Sequence, residues 1–287
     1  MRVFYCSNRY YSVVPWAYTD NKFYGHSTFI EVITMYKNAI VRKPGNSLVY
    51  GISTIDLGDP DVELALKQHA NYVDVLQTCG VDVTVLEADE DFPDSTFVED
   101  AAILLPDCAI ITRPGALSRR GEIESMEKTL SRFYSKIERI EAPGTIEGGD
   151  VLNVGNHFYI GLSERTNAEG AAQLIEILKR HGCTGSQVEV EGFLHLKTAV
   201  AYLENNIMLV RESLMDLPEF QTYQRMLVDD EEGYAANCVW VNGTVLVPTG
   251  FPKTRQMILD AGFDVLEVNV SEFRKLDGGL SCLSLRR

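Results

Sequence analysis

A thiol, an imidazole and a carboxylate become a nucleophile, a proton carrier and an orienting group when a fold brings them together. In this chain of 287 residues the three are Cys282, His195 and Glu147. They occur in Asp277-Gly-Gly-Leu-Ser-Cys282, His195-Leu-Lys-Thr198 and Glu147-Gly-Gly-Asp150. Each alone has a plain structural reading. An isolated cysteine is packing, a histidine between leucines is a hydrogen-bonded core residue, and paired glycines mark a loop. Their spacing adds weight: Glu99 to Glu147 and Glu147 to His195 are both 48 residues. Glu99 belongs to an acidic cluster, Asp94-Ser-Thr-Phe-Val-Glu99-Asp100. Phe97 and Val98 among these acids turn Glu99 or Asp100 inward, and a buried carboxylate needs a cationic or hydrogen-bonding partner. A ligand guanidinium, with its planar fork of donors, fits two carboxylates.

The elements that position these residues recur along the chain. Apolar runs at 100–105 and 108–113 flank Pro106-Asp107, which predicts a hairpin. Ile123, Met126, Leu130 and Phe133 then follow a helical period, and residues 136–141 read as a strand. The order repeats with strands at 148–154 and 157–162 and a helix carrying Ala171, Leu174, Ile175 and Leu178. Thr166 and Asn167 are placed to cap that helix, and a strand at about 186–191 closes the unit. Weaker copies start near His195 and near Asn237, the latter with a helix around 252–262. Residues 38–45 and a helix at about 60–78 give a copy split between the chain ends, with LSCLSL at the C-terminus supplying the missing strand. Five ββαβ units around a pseudo-rotation axis would turn equally phased residues toward one central cavity. A linear solenoid would keep them apart.

Composition narrows the function. Net charge is −15, from 26 basic and 41 acidic residues, which disfavours nucleic-acid phosphates and favours small cations. No apolar run predicts a membrane span or a signal peptide, so no membrane association is expected. Six scattered cysteines without a C-x-x-C pair point to reduced thiols and a cytoplasmic location. The five histidines show no metal-ligand spacing, so no metal is expected. Without a linker or low-complexity tract, residues 38–287 form a single domain, preceded by an extension, 1–37, of uncertain structure.

Ordered motifs carry a family resemblance: F-V-E-D at 97–100, I-T-R-P-G-A at 111–116, R-R-G-E at 119–122 and E-G-G-D-V-L at 147–152. They continue with G-L-S-x-R-T-N at 161–167, L-H-L-K-T at 194–198, A-A-N-C at 235–238 and D-G-x-L-S-C at 277–282. Over roughly 40–287 the chain resembles the dimethylarginine dimethylaminohydrolases of the guanidino-group-modifying superfamily. The resemblance implies an α/β fold, the five-bladed α/β propeller called the pentein fold. It implies hydrolysis of methylated arginine to citrulline and an alkylamine through a covalent thiouronium on Cys282, without a cofactor. His195 would serve as acid and base, supported by Glu147. Asp94, Glu99 and Asp100 would hold the guanidinium, while Arg119 and Arg165 would grip the substrate carboxylate. Residues 44–60 fall where the family has a flexible lid, with Leu48 and Ile52 both eligible to touch substrate. Leu283 stands where some relatives carry a second cysteine. Two other readings stay open: a deiminase releasing ammonia from an unmethylated guanidine, and a non-catalytic pentein scaffold. A homodimer is also left open.

Overall fold

A computed structural model describes residues 35–287. Most of the extension expected at 1–37 lies outside the described residues. The last of it, Tyr36 and Lys37, is tied by backbone hydrogen bonds to Asn242 and Arg287.

Five three-stranded sheets share one plan. In each, the middle strand pairs antiparallel with the first and parallel with the third. The first sheet joins β1 (Asn38–Arg42), β2 (Asp82–Leu86) and β15 (Leu285–Arg286), so the chain's last strand closes the ring. The others take consecutive strands. β3 (Ala102–Leu104), β4 (Ala109–Ile111) and β5 (Ile137–Arg139) form the second; β6 (Val151–Val154), β7 (His157–Leu162) and β8 (Thr184–Glu189) form the third. β9 (Val200–Tyr202), β10 (Ile207–Val210) and β11 (Gln224–Leu227) follow, then β12 (Val239–Val241), β13 (Thr244–Pro248) and β14 (Asp264–Val268). This is the five-bladed α/β propeller expected from the repeats.

A parallel pair requires a crossover, and in four blades a helix supplies it. These are α1 (Val62–Thr78), α2 (Glu122–Leu130), α3 (Ala168–Arg180) and α4 (Pro252–Asp260). A short helix α5 (Ser271–Arg274) precedes the C-terminal turn. Asp61 and Asn167 cap α1 and α3 by accepting from Leu64 N–H (3.0 Å) and Gly170 N–H (2.8 Å), each worth about 1 kcal/mol. Between β10 and β11 the crossover consists of short turns at Glu212–Leu214 and Pro218–Phe220. Leu214 and Phe220 are buried there and fill the space a helix would cover.

Sequence periodicity extended several first strands too far. Residues expected to begin strands lie in 3-10 turns at Val98–Ala101, Gly148–Asp150 and Leu196–Thr198. Related turns occur at Asp230–Ala236 and Ser281–Leu283. A strand would throw alternate side chains to opposite faces, whereas a tight turn presents neighbouring polar groups at the blade's inner end. The core runs between blades: β3, β4, β7 and α3 share one apolar cluster, and β1, α1 and the C-terminal segment share another. Tyr72 of α1 secures that last segment, its hydroxyl lying 2.9 Å from Leu280 O and 2.7 Å from Ser284 Oγ. Among the described residues no helix is long and apolar enough to cross a membrane.

Candidate active site

The turns at the inner blade ends carry the reactive side chains into one cleft of about 370 Å³. Its walls include Asp94, Asp100, Arg119, Glu147, Arg165, His195 and Cys282. Eight residues were expected in the site, and these seven are brought together. Ile52, Phe97, Leu194, Leu276, Asp277 and Gly278 complete the lining.

His195 Nε2 lies 2.8 Å from Glu147 Oε2. The other Glu147 oxygen accepts from Ala116 N–H at 3.1 Å and faces Arg165 Nη1 at 3.7 Å. Glu147 is fully buried, and these partners satisfy its carboxyl oxygens and fix its direction. Burial by itself would lower the His195 pKa. Asp100, Asp150 and Glu147 outweigh it and push the imidazole up to about 9, which makes His195 a proton donor at neutral pH. Asp150 also anchors the loop before β9, accepting from Leu196 N–H (2.9 Å) and Ser163 Oγ–H (2.7 Å).

Gly149 explains why E-G-G-D is glycine-rich. A Cβ at this position would lie 2.6 Å from His195 Nδ1 and 3.0 Å from Asp100 Oδ1. Only a bare backbone leaves the imidazole its place, and the Gly149 N–H itself donates to Asp100 Oδ1 at 2.8 Å.

Cys282 sits in the turn before β15, where Gly279 N–H points to its sulfur at 3.4 Å. Burial, then the charges of Glu99 and Asp100, push the thiol up to about 12, against the Gly279 N–H and Lys197. The resting residue is therefore a thiol. A cation placed beside it would favour the thiolate.

The acids divide the work differently from expectation. Asp94 lines the cleft with Oδ1 accepting from Ile52 N–H (3.0 Å), and burial raises its pKa despite Arg119. Asp100 is committed to Arg119 Nη1 (2.6 Å) and to Gly149 N–H. Burial would raise its carboxyl, but His195 and Arg119 hold it down at about 2. Glu99, expected to hold a guanidinium, lies apart from the other two. It is not part of the cleft lining and instead binds Lys197 Nζ (2.6 Å), Ser281 Oγ (2.7 Å) and Arg286 Nη2 (3.4 Å). Those basic partners lie far away in sequence, so the acidic cluster seemed to lack intramolecular cations.

The arginines also differ. Arg119 touches the cleft, but its donors reach Asp100, Glu122 and the Asp94 and Phe97 carbonyls. It organises the acids. Arg165 faces Glu147 at 3.7 Å and acts on Asp94 through its charge, without the close ion pairs that Arg119 makes. For the segment at 44–60 the outcome is clear-cut: Leu48 is fully buried and Ile52 lines the cleft. Thr54 N–H donates to Asp277 Oδ2 (2.6 Å), holding this segment against the loop that carries Cys282.

Sequence reading missed the clamp around Ser281. Asn237 Nδ2 donates to Lys197 O and to Ser281 Oγ, both at 3.0 Å, while Ser281 N–H donates to Asn237 Oδ1 at 3.0 Å. Its signal was present: Asn237 occupies the inner-end position of the fifth sheet, as His195 does in the fourth.

A propeller of five three-stranded blades, four of them ββαβ, with a thiol, an imidazole and carboxylates gathered in one cleft defines a pentein with an enzyme-like centre. Comparison with known proteins narrows the class. The sequence model described as "N,N dimethylarginine dimethylhydrolase, eukaryotic" matches residues 58–227. A Pseudomonas aeruginosa N(G),N(G)-dimethylarginine dimethylaminohydrolase is 56% identical over 253 residues, 88% of this chain and 100% of that one. The Streptomyces coelicolor protein of the same name is 37% identical over 252 residues, 87% of this chain and 96% of that one. The solved structure of a mutant P. aeruginosa enzyme complexed with citrulline superposes with a TM-score of 0.87 at 55% identity, covering 88% and 100% of the two chains. The N-terminal domain of ArgZ, a cyanobacterial arginine dihydrolase, shares the fold at 21% identity and a TM-score of 0.77, covering 87% and 96%. The chain belongs to the dimethylarginine dimethylaminohydrolase family.

Proposed function

We propose that this protein hydrolyses methylated arginine to citrulline and an alkylamine, with Cys282 as nucleophile, His195 as acid and base, and Glu147 as the group that orients His195. The observation that carries the reading is the convergence of Cys282, the His195–Glu147 pair and the Asp94 carboxylate on one cleft. A solved P. aeruginosa relative bound to citrulline, and another described as an adduct with S-methyl-L-thiocitrulline, support it.

In this scheme Asp94 receives the guanidinium and Arg165 the α-carboxylate, while Arg119 fixes Asp100 and so the local field. The bound cation offsets the negative charges that keep Cys282 protonated, and the thiol proton leaves to solvent. The thiolate attacks the guanidinium carbon. His195, already protonated, gives its proton to the departing amine and leaves a thiouronium on Cys282. Water then loses a proton to His195 and attacks that carbon, and citrulline departs as the sulfur is released. The scheme calls on no metal or organic cofactor. Six scattered cysteines without a C-x-x-C pair accord with a reducing, cytoplasmic setting, and the acidic composition with a small cationic partner rather than nucleic acid. The homodimer left open by the sequence is not required by the scheme.

Purified protein should be incubated with arginine, mono- and dimethylarginine and agmatine, and the released amine identified. Methylamine or dimethylamine with citrulline is the expected result, lost in Cys282→Ser with the fold retained. Ammonia from arginine as the main product would favour a deiminase. No turnover on any guanidine would favour a scaffold.

A further inference from the structure

A second cluster of reactive groups lies away from the cleft, where two blades meet. Cys108 immediately precedes β4, Glu138 is the central residue of β5, and His181 is the C-cap of α3 in the next blade. One donor atom from each of the three residues lies within 4.8 Å of the other two. Histidine spacing gave no hint of this group, because its members come from three elements and only the parallel β4–β5 pairing and the blade contact unite them.

Each ring nitrogen of His181 faces a carboxylate. His181 Nδ1 lies 3.1 Å from Asp107 Oδ1, and Nε2 lies 3.2 Å from Glu138 Oε1. A metal-bound histidine commonly donates its other ring N–H to a carboxylate, which fixes the tautomer and ring direction. Asp107 can fill that role and leave Nε2 for the ion. The second oxygens of the two acids are held elsewhere, Asp107 Oδ2 by Lys136 at 3.0 Å and Glu138 Oε2 by Arg180. Oδ1 and Oε1 are thereby kept toward the imidazole. Cys108 is fully buried beneath, while Glu138 and Asp107 retain partial exposure, which gives an ion a route in.

We propose that Cys108, Glu138 and His181 form a binding site for a divalent transition-metal ion of the zinc type, with Asp107 orienting the histidine. A sulfur, an imidazole nitrogen and a carboxylate oxygen suit Zn²⁺ or Co²⁺, with water as the fourth ligand. On binding, the Cys108 thiol loses its proton to solvent as the metal–sulfur bond forms, and any proton on His181 Nε2 leaves likewise. The ion joins a strand pair of one blade to the helix end of the next and strengthens the ring at that boundary. The site is independent of the guanidine chemistry.

The test is a Co²⁺ titration of the Cys282→Ser protein, which removes the cleft thiol. The signal is thiolate-to-cobalt charge-transfer absorption. One equivalent should generate the band, and adding Cys108→Ser should abolish it, while Cys183→Ser should leave it in place. A band that survives Cys108→Ser, depends on Cys183, or never forms in Cys282→Ser overturns the proposal. Because Cys108 is buried in a sheet, His181→Ala provides a second measurement on a protein checked by circular dichroism. It should weaken Co²⁺ binding at least tenfold, and Asp107→Asn about 10–100-fold, as loss of a ligand-orienting carboxylate does. Unchanged affinity in a folded His181→Ala protein overturns the proposal equally.

Discussion

Gly149→Ala isolates the placement of the imidazole from its chemistry, because no titratable or reactive group is removed. The added Cβ would sit 2.6 Å from His195 Nδ1 and 2.7 Å from its Cγ, whereas ordinary contact begins at 3.4 Å. The ring must therefore withdraw by about 0.8 Å, and the backbone around Gly149 is held by its own bond to Asp100. Withdrawal stretches the 2.8 Å contact with Glu147 and moves the proton donor away from the departing nitrogen. Misplacement on the order of 1 Å costs about 10²-fold in rate. At 1.36 kcal/mol per decade this is about 2.7 kcal/mol on the barrier. The atoms nearest the new methyl belong to His195 and Asp100 rather than to Asp94 or Arg165, so KM should change by less than about threefold if it tracks ground-state binding. The assay is citrulline formation from dimethylarginine over a range of concentrations, at a temperature where circular dichroism shows the variant folded. Overpacking should also destabilise the protein by about 1–3 kcal/mol. A folded Gly149→Ala protein with kcat within twofold of wild type would refute the claim that this glycine sets the histidine's position.

Three other perturbations test the electrostatics. Glu147→Gln removes a charge that raises the His195 pKa, so the alkaline fall in kcat, expected near pH 9 in wild type, should move to lower pH. Its kcat should also drop by about 10²–10⁴-fold, while an unmoved limb would show that Glu147 is not coupled to the proton donor. The same raised pKa makes the contribution of His195 to folding complete below pH 6.5 and lost as pH rises through about 9, which thermal unfolding between pH 6 and 10 measures. Glu99→Gln leaves Lys197 and Arg286 without their shared anion and should cost about 3–5 kcal/mol in unfolding free energy. It should also lower the Cys282 pKa, speeding iodoacetamide labelling at pH 8, and slower labelling would contradict the assigned sign. In the wild-type protein, labelling of Cys282 should rise about tenfold per pH unit between pH 7 and 9, because thiolate is the reacting form. A rate independent of pH would mean the resting residue is already ionised.

Elements were legible where the physics is local. α3 was readable because its apolar spacing and the Asn167 cap agree, and the cap bond to Gly170 is present. α1 was likewise marked by its own period. The inner ends of the blades were less legible, since apolar runs such as 148–154 do not disclose that Gly148–Asp150 is a turn. Among site residues, Glu147, His195 and Cys282 could be grouped because repetition converts equal phase into nearness. Glu99 has that phase too, yet its charge is matched by Lys197 and Arg286 through contacts no local pattern encodes. Arg119 illustrates the same limit: R-R-G-E marks a motif, but not that the guanidinium turns back onto Asp100 and Glu122.

The pairing of β15 with β1 ties the placing of Cys282 to a contact between residues far apart in sequence. β1 begins at Asn38, its antiparallel partner begins at Leu285, and Cys282 lies only three positions before that partner. The blades built from consecutive strands can form from nearer neighbours, yet Cys282 has no fixed place until its segment docks against Tyr72. Joining such distant residues is slow, because the loop entropy must be overcome before the contact helps. The clasp formed by β1, β15 and Tyr72 is therefore where a local loosening would displace the thiol while leaving the other four sheets paired.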